Sequence, residues 1–193
     1  MATIGLDCLY FAPITETVNK IETYGTPERF AKAITAEISV ELNEASLFAD
    51  DGEAEVVKEF KKGTISLNTD DLSPETAAAL CGATIDNNGV VVSRSEDEPP
   101  LVAVGFRAKR SDGNYSYFWL YRVRFGIPGN SLATKGDSVT FSTPTIEGTI
   151  MRRNKPDAAN NHPWKAEVHV SSSLDPQIET NWFSAVYEPS YAS

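Results

Sequence analysis

Leu101-Val102-Ala103-Val104-Gly105-Phe106-Arg107-Ala108-Lys109-Arg110, then Ser111-Asp112-Gly113-Asn114, then Tyr115-Ser116-Tyr117-Phe118-Trp119-Leu120-Tyr121-Arg122-Val123-Arg124-Phe125: this stretch decides the fold. Val102, Val104, Phe106 and Ala108 alternate along its first arm. Tyr115, Tyr117, Trp119, Tyr121, Val123 and Phe125 alternate along its second. Side chains repeat every two residues only in an extended strand, so both arms read as strands with one apolar face. The four residues between them include the glycine that a tight hairpin needs for positive φ. Strands joined this closely must pair antiparallel.

The same period extends outward in both directions. Ile34, Ala36, Ile38, Val40 and Leu42 alternate with Thr35, Glu37, Ser39 and Glu41, which predicts a half-buried strand over 34–42 with a wet, acidic face. Further strands are expected at 63–68, at 90–92 after the turn Asp86-Asn87-Asn88-Gly89, and at 138–143, 145–151 and 163–170. Trp164, Ala166, Val168 and Val170 share one face of the last. Pro144 falls where the alternation changes phase, which implies a bulge or an edge position. One helix is legible, with Ser73 as N-cap, Pro74 and Glu75 in the first turn and Gly82 as its stop. It is too short to stand alone and must lie against a sheet. The expectation is mainly β: an antiparallel sandwich or barrel with one flanking α-helix, forming a single domain over 1–193.

Composition agrees with that class. A chain of 193 residues, 41% apolar and 23% charged, can bury a core without disulfides or metal. Cys8 and Cys81 sit among apolar neighbours and read as small buried hydrophobes in a reducing compartment. No apolar run approaches the ~20 residues of a membrane helix. The first residues lack the basic start and apolar stretch of a secretion signal. The net charge of −10 argues against tight binding to nucleic acid or to an anionic membrane. It is unevenly spread, with −12 on residues 1–100 and +2 on residues 101–193.

Nothing in the chain assembles into a catalytic pattern. His162 lies in the loop Asn160-Asn161-His162-Pro163, and His169 alternates with apolar residues and should face solvent. Their spacing from each other and from the cysteines fits no zinc site. There is no phosphate-binding glycine loop, no nucleophile elbow and no EF-hand spacing around Asp50-Asp51-Gly52. Asp70-Asp71 and Glu96-Asp97-Glu98 are flanked like turns and a helix cap rather than like paired catalytic carboxylates. The expectation is no enzyme and no cofactor. The aromatic stripe 115–125 suits a core or a subunit interface, and also a carbohydrate-binding or adhesion module that stacks sugars on Tyr115, Tyr117 or Trp119. Arg122 and Arg124 would pair with acids of a neighbouring strand or subunit. Residues 43–62 separate two strands as a long acidic loop, with Lys58, Lys61 and Lys62 at its end. A connection of that length inside a compact domain is usually functional or mobile.

The order of the pieces resembles the major tail proteins of long-tailed, non-contractile phages of Gram-positive bacteria. The resemblance is carried by Gly5-Leu6-Asp7-Cys8-Leu9-Tyr10-Phe11-Ala12-Pro13-Ile14-Thr15, Leu47-Phe48-Ala49-Asp50-Asp51 and Lys62-Gly63-Thr64-Ile65-Ser66-Leu67. Ala79-Leu80-Cys81-Gly82-Ala83, Val102-Ala103-Val104-Gly105-Phe106 and the strand 117–125 continue it. It runs over residues 4–155, and 156–193 match less clearly. The resemblance implies a virion protein made in the host bacterial cytoplasm. Its copies would form hexameric rings that stack into a tail tube around a tape-measure protein, close with a tail-terminator protein, and conduct DNA during ejection without binding it tightly. Another virion part of the same fold, such as a terminator ring or the tube of a contractile machine, stays open. The resemblance also implies that inner β-surfaces line the channel and that an early long loop reaches the adjacent ring. The slots in this chain are Thr35, Glu37, Ser39 and Glu41 for the lumen. For the inter-ring loop they are Glu44, Leu47, Phe48, Asp50, Asp51, Glu53 and Glu55. An acidic wall would ease the passage of DNA by repulsion. The charge split adds that acidic 43–59 of one ring could meet Arg152, Arg153 and Lys155 of the next, so reversing Asp50 and Asp51 to Lys should impair assembly.

Overall fold

The computed structural model describes residues 3–16, 19, 21–49, 52–128, 143–171 and 174–191, with the backbone alone at 45–49 and 52–56. In chain order the elements are β1 (Thr3–Glu16), β2 (Glu22–Tyr24), β3 (Glu28–Ala31), β4 (Ala33–Ala49), β5 (Gly52–Thr69) and α1 (Pro74–Cys81). They continue with β6 (Thr84–Ile85), β7 (Val91–Val92), β8 (Leu101–Arg110), β9 (Tyr115–Phe125), β10 (Thr145–Ile150), β11 (Lys165–His169) and α2 (Pro176–Asn181). The architecture is mainly β with small helices, and every strand pair is antiparallel.

The main sheet runs β2-β1-β8-β9-β10-β5-β4. β3 pairs with β1 and leads through Lys32 into β4, so the sheet curls back on itself. Its interior is filled by Leu9, Phe11, Phe30, Ile65, Leu67, Val102, Val104, Phe106, Leu120, Val123, Phe125, Ile146 and Ile150, all buried. α1 closes one end with Leu80 and Cys81. Its caps are those the sequence predicted. Ser73 Oγ accepts from the Thr76 amide, and Gly82 takes the left-handed φ of 74° that ends the helix.

A second apolar layer lies outside the sheet. Ala12, Ala103, Tyr117, Trp119 and Tyr121 are covered by Trp182 and Val186 of the C-terminal segment, with Phe183 and Tyr187 at its margin. Gly105 lies beneath this layer's central ring, since a Cβ there would meet the Trp119 indole at 2.8 Å. The helix that delivers Trp182 is capped by Asp175, whose carboxylate accepts from the Gln177 amide. Only one helix was expected from sequence; α2 is the second.

The single stripe expected over 115–125 is divided. Val102 pairs with Val123 but Val104 pairs with Leu120, so β9 carries an extra residue at Tyr121–Arg122. The bulge reverses the facing of the strand. Tyr117, Trp119 and Tyr121 therefore point outward, while Val123 and Phe125 enter the core. β1 has a similar irregularity between Asp7 and Tyr10, where Cys8 adopts φ 52°. Pro144 stands just before β10 rather than within a bulge, and its carbonyl accepts from the Thr69 amide. The strand expected at 138–143 falls almost wholly outside the described residues.

Residues 43–49 and 52–62 form a ladder rather than the expected loop. β4 and β5 remain in register from Ala33↔Thr69 out to Ala49↔Gly52, with shifts near Leu42 and Phe48. The sequence concealed this because the stretch carries no regular alternation of apolar and polar residues. The positive charges at its base stand across the ladder from acids: Lys58 lies 3.4 Å from Glu44, and Lys62 3.3 Å from Glu41.

Candidate functional site

Two surfaces are built by the central strands, a polar face and a projecting arm. On the face, Thr35, Glu37, Ser39 and Glu41 of β4 stand opposite Asn68, Ser66, Thr64 and Lys62 of β5. β10 continues the rows, with Thr145 beside Asn68, Glu147 beside Ser66 and Thr149 beside Thr64. Thr149 also lies across from Arg124 of β9. The intervening residues Ile65, Leu67, Ile146 and Ile150 point into the core. Period-two alternation thus turns four strands into one hydroxyl- and carboxylate-bearing surface. Asn68 donates to Thr145 Oγ1 at 3.3 Å within it. The four β4 positions singled out from sequence are all exposed and lie together on this face. Thr64, Ser66, Asn68, Thr145, Glu147 and Thr149 were not singled out. Their signal was the polar phase of the predicted strands 63–68 and 145–151.

Beyond Ala33, β4 has no strand on its second edge among the described residues. An unpaired edge of such length invites another strand. The arm begins where β10 ends, because β10 pairs with β5 only over Gly63–Asn68. From Glu41 to Ala49 a strand extends about 25 Å at ~3.3 Å per residue. Glu44, Leu47, Phe48, Glu53 and Glu55 lie on this arm, with Leu47 paired to Glu55 and Phe48 to Glu53 in the backbone register. The side chains of 45–49 and 52–56 and the residues Asp50 and Asp51 lie outside the described set. Val40, Leu42 and Val57 near its base are exposed apolar residues. Phe60 is covered by a parallel stack on Trp164, 4.7 Å between centroids.

The basic residues proposed to meet the arm are not equally available. Arg153 is buried, donates to Glu188 at 2.8 Å and lies 4.7 Å over the Tyr121 ring. Lys155 also donates to Glu188, at 2.8 Å. Arg153 is therefore committed within its own chain, held by the exposed Glu188 carboxylate at one end and by the Tyr121 ring beneath it. Arg122 finds its partners within the chain, donating to Glu16 at 2.7 Å and approaching Glu22 at 3.4 Å. Burial pushes the Tyr24 and Tyr121 hydroxyls beside Arg153 above the usual phenol range.

Sugar stacking on Tyr117 or Trp119 is ruled out by position, since both rings are covered by the C-terminal segment. Trp119 Nε1 donates to the Trp182 carbonyl at 3.0 Å, and Tyr117 donates its hydroxyl to Glu179. His169 is exposed and bonded to Ser116, 2.7 Å from Oγ, whereas His162 contacts the Arg153 carbonyl. Among the described residues no three His, Cys, Asp or Glu are placed to hold a metal ion. No helix of the described residues is long and apolar enough to cross a membrane.

No family model matches the chain, and no curated protein matches it. Among solved structures, the cryo-EM structure of the anti-feeding prophage cap (AFP tube terminating cap) is similar at 8% identity. That likeness covers 83% of this chain and 88% of that one, with a TM-score of 0.45.

Proposed function

We propose that this chain is a structural subunit of a phage tail tube. The observation that carries the reading is the polar four-strand face of β4, β5, β10 and β9, which ends in the unpaired edge of β4. Copies set side by side can consume that edge, extending the face from one subunit to the next. Closure of the series into a ring, six subunits by the family resemblance, turns the face inward as the wall of a channel. Thr35, Glu37, Ser39 and Glu41 then line the lumen together with the polar rows of β5 and β10. Hydroxyls and carboxylates on that wall favour rapid passage of DNA, because phosphates find few cations to hold them. On this reading the arm 43–62, with Glu44, Leu47, Phe48, Asp50, Asp51, Glu53 and Glu55, leaves the ring to meet the adjacent one, and the projection of the β4–β5 ladder beyond β10 supports that role. Other partners under this reading are a tape-measure protein inside the tube and a terminator at its end. The place of action is the virion tail, after synthesis in the host cytoplasm.

Negative-stain microscopy of the purified protein, concentrated at neutral pH, tests the reading. Hollow rods or stacked rings of uniform diameter are expected. Uniform monomer-sized particles that bind an immobilised polysaccharide would replace it with the binding-module reading.

A further inference from the structure

The seam between the sheet and the C-terminal segment holds polar groups that its packing leaves unanswered. Trp182, Val186 and Tyr187 cover the outer aromatic layer, which reaches Tyr121, with Tyr24 and Arg153 against that ring. Three atoms there are buried without a hydrogen-bond partner among the described residues: Tyr24 Oη, Tyr121 Oη and Arg153 Nε. Tyr121 and Arg153 are each 1% exposed. Roughly 90% or more of buried polar groups are paired, so three unpaired in one place call for a common partner.

The three groups come from separate parts of the chain. Tyr24 ends β2, Tyr121 stands at the bulge of β9, and Arg153 follows β10. The two rings are 6.3 Å apart between centroids, and the Arg153 guanidinium lies 4.7 Å over the Tyr121 ring. Burial raises each hydroxyl, and the Arg153 charge opposes that rise in both, which puts the guanidinium next to the two phenols. Arg153 directs Nη1 to Glu188 at 2.8 Å, so Nε is the edge left facing the seam.

Charge and chemistry select the partner. Around the seam Arg122, Arg153 and Lys155 are matched by Glu16, Glu22 and Glu188. A bound ion would upset that balance, whereas a neutral molecule leaves it intact. Nε can only donate, and each phenol can donate or accept. One water molecule accepts from Nε and from one phenol and donates to the other, about the three hydrogen bonds usual for a buried water.

We infer that the seam binds one internal water molecule, held by Tyr24 Oη, Tyr121 Oη and Arg153 Nε. The site stands apart from the tube reading. It joins β2, β9 and the start of the 153–155 stretch where Glu188 fastens the C-terminal segment to Arg153 and Lys155. The segment is thus docked through a solvent molecule as well as through its own side chains.

Phenylalanine substitutions test the site, because they remove a hydroxyl and keep the ring. An unpaired buried hydroxyl can be removed at no loss of stability, whereas one that bonds a water cannot. Tyr24→Phe and Tyr121→Phe should each raise the unfolding equilibrium constant, read from urea titration, about fivefold. The double variant should fall well short of the product of the two, since both hydroxyls act through one molecule. Tyr117→Phe is the reference: its hydroxyl donates to Glu179 directly, so its effect should multiply with that of Tyr24→Phe. A high-resolution crystal structure of the unaltered chain, grown with sodium bromide, should show an oxygen-sized peak at the seam without anomalous signal. Unchanged or lowered unfolding constants in both single variants overturn the inference, as does full multiplication in the double. A bromide peak overturns it by making the seam an anion site. So does a seam closed by direct hydrogen bonds among the three groups.

Discussion

Glu22 is buried to 1% exposure, yet it is the point where three distant stretches meet. Its carboxylate accepts from the amides of Asn154 at 2.7 Å and Lys155 at 2.6 Å, and Arg122 approaches at 3.4 Å. Arg122 in turn holds Glu16 at 2.7 Å. Glu22→Ala would leave two half-buried amides without their acceptor and take from Arg122 one of its two carboxylate partners, a loss of about 3 kcal/mol. Urea denaturation should show it as a lower midpoint with an unchanged slope. Glu22→Gln keeps one acceptor oxygen and should lose less. None of this was legible in the sequence. Glu22 looks like any surface acid there, and its partners lie a hundred or more residues away. Arg122, by contrast, was recognised as needing an acid, because a cation on an otherwise apolar strand must find one.

Elements with a buried side were readable, and elements without one were not. The β8–β9 hairpin was placed from sequence with its ends at Tyr115 and Phe125 because one face of each strand is core. The bulge at Tyr121–Arg122 was invisible, since an apolar run occupies both faces of β9. α1 declared itself through Ser73, Pro74 and Gly82. Asp175 and Pro176 carry the same start signal for α2, but six residues leave no periodicity to support it. The arm 43–62 failed for the converse reason: its sequence carries no alternation of apolar and polar residues to signal a strand. The C-terminal segment is held by more than aromatic packing. Asp157 accepts from the Asn161 and Ala159 amides and from the Tyr191 hydroxyl, at 2.8 to 3.0 Å. The Asn161 amide foremost, with the Tyr191 hydroxyl and the Ala159 amide, keeps its carboxyl below the usual range. A carboxyl lowered in the folded state contributes stability that is whole above its unfolded value, about 3.9, and is lost as pH falls through the folded value. Hydrogen exchange should therefore show the 157–161 turn and the chain around Tyr191 loosening below about pH 4 while the β8–β9 hairpin stays protected. Asp157→Asn should show that loosening already at neutral pH.

For the whole molecule, charge is arranged by surface rather than by half-chain. The split of −12 and +2 suggested an acidic face meeting a basic one. Folding changes its meaning: Lys58, Lys61 and Lys62 neutralise Glu44 and Glu41 across the arm, and Arg153 with Lys155 is committed to Glu188. Surface pairs of the first kind contribute little to stability, but they leave the arm's base near neutral. The polar face keeps Glu37 and Glu147, with Arg124 at one margin and Lys62 at another. If that face lines a channel, its sign controls what the channel holds. Glu37→Lys with Glu147→Lys exchanges two negative charges for two positive per subunit without touching the core residues between them. Rods should still assemble, because both positions are exposed and neither lies on the arm. Assembled wild-type rods should leave short double-stranded DNA unbound in co-sedimentation at 50 mM salt. The reversed rods should retain it, and release it steeply as salt rises, since each phosphate neutralised makes affinity fall with the logarithm of salt. Equal DNA retention by both kinds of rod would place the face on the outside of the tube or within subunit contacts, and would move the lumen to another surface of the fold.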